Sequence, residues 1–89
     1  MRTTMIGSVE VCTDGQKVWV NTPLGCLARF CKASMEVFPA KIFHAGPPLA
    51  LEYTGPGTWE RFRAAVLLHH KVEVPLDFIP EWASPVVAD

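Results

Sequence analysis

The sequence is short of the features that would assign it quickly. No apolar run approaches the ~20 residues that a membrane-spanning helix requires. The first residues lack the charged, apolar and small-residue regions of a signal peptide, which predicts a cytoplasmic protein. There is no basic excess: eight Lys and Arg stand against nine Asp and Glu, for a formal net charge of -1. DNA-binding domains usually carry such an excess, because counterion release from phosphates drives their affinity. Cysteine is scarce and odd in number, at three, which argues for a reducing compartment over a disulfide framework. No internal repeat, heptad or low-complexity segment is present. No phosphate-cradling glycine motif occurs either, since Gly55-Pro-Gly57 places proline where a backbone donor is wanted.

What is present is ordinary globular composition. Hydrophobic residues make up 49% and charged residues 19%, enough apolar surface to oppose disorder. With 89 residues the chain has room for a single domain with one core. A chain of this size has a thin margin of stability, which a homodimer or a partner complex would widen.

The pattern predicts an α+β fold: an antiparallel β-meander of three or four strands packed against one α-helix, with an extended Pro-rich C-terminal arm. Residues 8–38 form the meander, 39–57 a Gly/Pro-rich connection, 58–72 the helix and 73–89 an acidic arm. In residues 8–13 Val9 and Val11 share a face opposite Glu10. A two-residue Asp14-Gly15 turn leads to residues 16–21, where Val18 and Val20 oppose Lys17 and Trp19. Thr22-Pro-Leu-Gly25 reads as the next turn, residues 25–31 as a third strand, Lys32-Ala33 as a turn and 34–38 as a fourth strand. Residues 39–51 have room for one more edge strand.

Such a sheet leaves an apolar face that something must cover. Trp59, Phe62 and Val66 follow helical spacing and should dock on it. Thr58 is the N-cap candidate, Glu60 suits the first turn, and Pro75 ends the helical region. His69 is expected on the helix face, partly buried and hydrogen-bonded, with His70 at its edge. The arm is too apolar for a free end, and Leu76, Phe78, Ile79 and Trp82 are expected to pack back on the domain. From Glu73 onward it carries Glu73, Asp77, Glu81 and Asp89 with no Lys or Arg.

Catalytic chemistry finds little support in the spacing. Cys12, Cys26, Cys31, His44, His69 and His70 are the available metal ligands, without a C-x-x-C pair. Cys26 and Cys31 are an odd number of residues apart, hence on opposite faces of an unbulged strand. His69 and His70 are about 100° apart on a helix and cannot easily share an ion. No elbow or helix N-terminus presents a cysteine as nucleophile, and the acids are scattered. The expectation is a protein that is not an enzyme, with no cofactor and no metal; a thiol or zinc enzyme is the exception kept open.

Binding is the better-supported class. Leu67 and Leu68 sit away from the Trp59–Phe62–Val66 stripe, with Leu68 nearly opposite it. Either the arm covers them, or the helix presents Leu67 and Leu68, with Arg61 and Ala64, to a protein partner or a second copy of the chain. Trp19 and Arg29 are the candidate contacts on the sheet. The alternative function is a small nucleic-acid-binding module, in which Trp19, Arg29 and Phe30 make a stacking platform flanked by Lys17.

Two stretches carry a resemblance. Val18-Trp-Val-Asn21 with Gly25-Cys-Leu-Ala-Arg-Phe30 is one; Trp59-Glu-Arg-Phe62 leading to His69-His70-Lys-Val-Glu-Val-Pro75 is the other. Together they resemble short uncharacterised accessory proteins encoded by phages and mobile elements of proteobacteria, over about half the chain. The resemblance carries over no catalytic residue. It implies a class of small protein-binding modules, some of which inhibit host defence by occupying a surface of a larger complex.

Overall fold

The computed structural model describes residues 1–38, 49–55 and 57–83. Among these residues six strands occur in chain order: β1 Arg2–Ile6, β2 Val9–Thr13, β3 Val18–Thr22, β4 Gly25–Cys31, β5 Ser34–Val37 and β6 Leu49–Leu51. They form one sheet in that same order, and every neighbouring pair is antiparallel. One helix, α1, spans Gly57–His70, and single 3-10 turns come after it at Leu76–Phe78 and Glu81–Ala83. The class is therefore α+β, but the meander has six strands where the sequence predicts three or four. β1 escapes notice because Arg-Thr-Thr-Met-Ile lacks the alternation of apolar and polar residues that marks a half-buried strand. β6 is a three-residue edge strand in the region where the sequence leaves room for one.

The turns obey local chemistry with one shift. Asp14 is the first corner of the β2–β3 turn instead of its centre. Its carboxylate accepts the N–H groups of Gln16 at 2.8 Å and Lys17 at 2.9 Å. Its own N–H donates to the Lys17 carbonyl at 3.4 Å, so Gly15 and Gln16 form the tip, with Gly15 at φ +93.

One face of the sheet holds the core. Val11, Val18, Val20, Ala28, Phe30, Met35 and Val37 are buried there at alternate positions. α1 lies over β4 and β5 and turns Trp59, Phe62 and Val66 onto this face, as its spacing predicts. Phe30 is the hub. Its ring meets Trp59 edge-on at 5.1 Å, Phe62 at 5.0 Å and, in parallel stacking, Trp82 at 5.3 Å.

The segment after the helix completes the core with Val72, Val74, Phe78 and Ala83. It is not a continuous extended arm, because the two 3-10 turns fold it. The Glu81 N–H donates to the Gly15 carbonyl at 3.0 Å, and Trp82 Nε1 donates to the Gln16 carbonyl at 2.7 Å. Asp77 pairs with Arg2 of β1 at 2.6 Å. Phe78 is buried, and Ile79 and Trp82 are half-buried, but Leu76 is 58% exposed, against expectation. Pro85 and Asp89 lie outside the described residues, as does most of the 39–57 connection.

The helix ends differ from the sequence reading. The Thr58 hydroxyl does not cap the helix amides; it accepts the N–H of Thr54 at 2.9 Å and is itself fully buried. The helix closes at His70, before Pro75 can act, because Lys71 turns into the left-handed region at φ +56. The Lys71 N–H still reaches the Leu67 carbonyl at 2.9 Å, giving a left-handed cap without glycine. His70 makes a hydrogen bond at this end, with Nε2 2.6 Å from the Phe38 carbonyl, and His69 is partly buried.

Candidate functional site

The six candidate contact residues divide between two surfaces on opposite sides of the domain. Arg61, Ala64, Leu67 and Leu68 lie on the side of α1 turned away from the sheet. Trp19 and Arg29 alternate with the buried Val18, Val20, Ala28 and Phe30, so they lie on the sheet face that α1 does not touch. The core separates the two sets, and they cannot form one site.

On the helix, the wheel geometry fixes the outcome. Leu68 is half a turn from the Trp59–Phe62–Val66 stripe and is 77% exposed. Leu67 is 50% exposed and Ala64 is exposed beside it. Among the described residues, nothing covers this apolar strip. Alongside it runs a shallow groove of about 330 Å³ lined by Glu60, Arg63, Ala64, Leu67, Glu73 and Val74. Arg63 closes its floor by donating Nε–H to the Val74 carbonyl at 2.7 Å, and it pairs with Glu60 at 3.3 Å. Arg61 is less available than the sequence suggests. Its guanidinium bends back to the helix start, where it donates to the hydroxyls of Thr54 and Thr58.

On the open sheet face, the register aligns Thr3, Cys12, Trp19, Arg29, Glu36 and Ala50 in one row across all six strands. Lys17 Nζ stands 5.7 Å over the Trp19 ring. Arg29 is neutralised by Glu36, to which Nε donates at 2.9 Å. Phe30 is fully buried on the other face, so the three-residue stacking platform does not exist. Adjacent strand residues point to opposite faces, and Arg29 and Phe30 cannot share one. Of the proposed platform, this face keeps half-buried Trp19 with Lys17 over its ring and Arg29 paired to Glu36.

The cysteines need one correction. The β3–β4 register shifts after Val20, with Leu27 as the extra residue, and this places Cys26 opposite Asn21 on the open face. Cys26 and Cys31 therefore share a face, contrary to the unbulged expectation. They are still separated by roughly 13 Å along the strand, counting ~3.3 Å per step. Among the described residues, no group of three His, Cys, Asp or Glu is placed to hold a metal ion. His44 lies outside them. Burial pushes the Cys12 thiol up from its ordinary pKa, helped by the Glu10 carboxylate 3.1 Å from its sulfur. Burial also raises the Cys26 thiol. Both shifts reduce the thiolate that a nucleophile would need.

Three carboxyls titrate below the ordinary range. Asp14 is held down by the Gln16 and Lys17 amides, Glu36 by the Ser34 hydroxyl and then Arg29, and Asp77 by Arg2. A carboxyl depressed in the folded state stabilises it above the unfolded pKa, and that contribution fades as pH falls through the folded value. The urea midpoint should therefore be flat near neutrality and fall as pH drops below about 4. A midpoint that rises there would contradict these partners.

Among the described residues, no helix is long and apolar enough to cross a membrane. Compared with protein-family models, curated proteins and solved structures, the chain matches none.

Proposed function

We propose that this chain is a non-enzymatic protein-binding module acting through the outer side of α1, in the manner of phage-type inhibitors that occupy a surface of a larger host complex. The observation that carries the reading is the exposure of Leu68 and Leu67, at 77% and 50%, beside Ala64. A helix with one face on a core ordinarily carries polar groups on the other. Here the sequence puts two adjacent leucines there. Covering a leucine fully contributes roughly 1.5–3 kcal/mol, which a partner recovers and the free chain forgoes. Glu60, Arg63 and Glu73 give the strip the polar rim common to specific interfaces. The inhibitor role comes from the resemblance of the two sequence stretches, which points to a partner in a bacterial cytoplasm.

The test is retention of a partner from bacterial host extract on the immobilised chain, compared with Leu67→Glu and Leu68→Glu. Both side chains are exposed, so each variant should keep its unfolding free energy, measured in urea, within about 0.5 kcal/mol of the parent. Each is expected to lose the partner by at least about tenfold, equivalent to about 1.4 kcal/mol. The reading fails if the parent retains nothing at micromolar concentration, or if both variants bind as the parent does.

A further inference from the structure

The outer edge of β1 has a specific hydrogen-bonding pattern. The Asp14 N–H donates to the Lys17 carbonyl, so Asp14 belongs to the residues of its strand that bond toward β3. Bonding direction alternates along an antiparallel strand. Cys12 and Glu10 then also bond toward β3, and Thr13, Val11 and Val9 bond toward β1. Their register partners are Arg2, Thr4 and Ile6. The two-residue Gly7-Ser8 turn agrees: with Gly7 at φ +65 in its first central position, it closes on a hydrogen-bonded Ile6–Val9 pair. Thr3 and Met5 are left. Their N–H and C=O groups point away from the sheet, and among the described residues no segment pairs with them.

Among the described residues, this edge has none of the usual defences. β1 contains no proline, lysine or bulge. Its one charge, Arg2, folds back onto Asp77 and over the Phe78 ring at 4.7 Å, and so does not guard the edge. The opposite edge strand, β6, is three residues long against five for β1.

We infer that β1 is a homodimerisation edge, pairing antiparallel with β1 of a second copy about a two-fold axis at Thr4. In that register Thr4 opposes Thr4, Thr3 opposes Met5, and Arg2 opposes Ile6. Each outward-facing residue, Thr3 or Met5, then meets the other's outward groups and exchanges reciprocal N–H···O bonds with it. Registers centred on Thr3 or Met5 would also match the outward groups, but the one centred on Thr4 pairs all five residues of β1. No like charges face each other, and a Thr–Thr pair is favourable across antiparallel strands. A closed two-fold contact leaves no β1 edge free for further growth. A foreign strand could use the same backbone groups; a second copy fits them along the whole of β1 with no like charges opposed. This surface is separate from the α1 strip and stands or falls independently of it.

Sedimentation equilibrium of the full chain tests the inference, from low to high micromolar concentration. The expected mass is twice the 9.8 kDa of the chain. Met5→Pro removes an outward N–H and leaves the β1–β2 bonds in place, since proline is tolerated on an edge strand. It should return the mass to that of one chain with an unchanged near-UV spectrum. Leu68→Glu should leave the dimer intact. Hydrogen exchange on the unaltered chain gives a readout free of variants: the Thr3 and Met5 amides should become more protected as concentration rises. A single-chain mass at every concentration overturns the proposal. So does a dimer that Leu68→Glu dissociates, or one whose Thr3 and Met5 amides exchange independently of concentration.

Discussion

Phe30→Ala is expected to destabilise the domain by about 3–5 kcal/mol, the range for removing a fully buried aromatic ring. Phe30 joins three parts of the core. It stands on β4, meets Trp59 and Phe62 of α1, and stacks on Trp82 of the C-terminal segment. Its loss leaves a cavity bounded by three large rings, none of which can move in without leaving another contact. Small domains are stable by only about 5–15 kcal/mol in total, so this change removes a large share. Arg29→Ala, one residue away, should shift the urea midpoint far less, because it breaks only a salt bridge with Glu36 on the open face. Urea titrations of the two variants measure the contrast. Similar losses at both positions would mean that the two faces of β4 are misassigned.

That contrast also shows what the sequence could convey. The inward set is legible wherever alternation or helical spacing is clean: Val9, Val11, Val18 and Val20 on the strands, and Trp59, Phe62 and Val66 on the helix. β1 is not legible, since Thr3 and Thr4 suit either face and an edge strand needs only its backbone to join a sheet. The shift of Cys26 to the open face depends on a bulge at Leu27, and no local residue preference announces a register shift. The helix end at Lys71 is hidden for a related reason. A lysine in the left-handed region opposes its own preference, and only the tertiary fit of Val72 and Val74 into the core explains why the chain turns there. For the candidate site, Leu68 can be placed opposite the core from spacing alone. What spacing does not provide is the path of the C-terminal segment, and with it the choice between a covered and an uncovered helix.

Ending the chain at Pro75 is expected to abolish cooperative folding, seen as loss of the near-UV signal and of a urea transition. The deletion removes buried Phe78 and Ala83 and half-buried Ile79 and Trp82. At roughly 1.5–3 kcal/mol for each large side chain when fully buried, the sum is comparable with the whole stability of a small domain. Leu76→Ser should change the midpoint little, because Leu76 is 58% exposed. A truncated chain that keeps its transition would show that α1 alone suffices to cover the sheet. The position of α1 argues otherwise: it lies over β4 and β5, while the C-terminal segment reaches β1 and the β2–β3 turn. The same anchoring bears on whether the segment covers the helix. Glu81 and Trp82 are tied to the Gly15 and Gln16 carbonyls, and Asp77 to Arg2 of β1. Through Ala83 the segment is therefore committed to the sheet, and it cannot also lie over Leu67 and Leu68 on the far side of the helix. The contacts that complete the core thus leave the two leucines exposed.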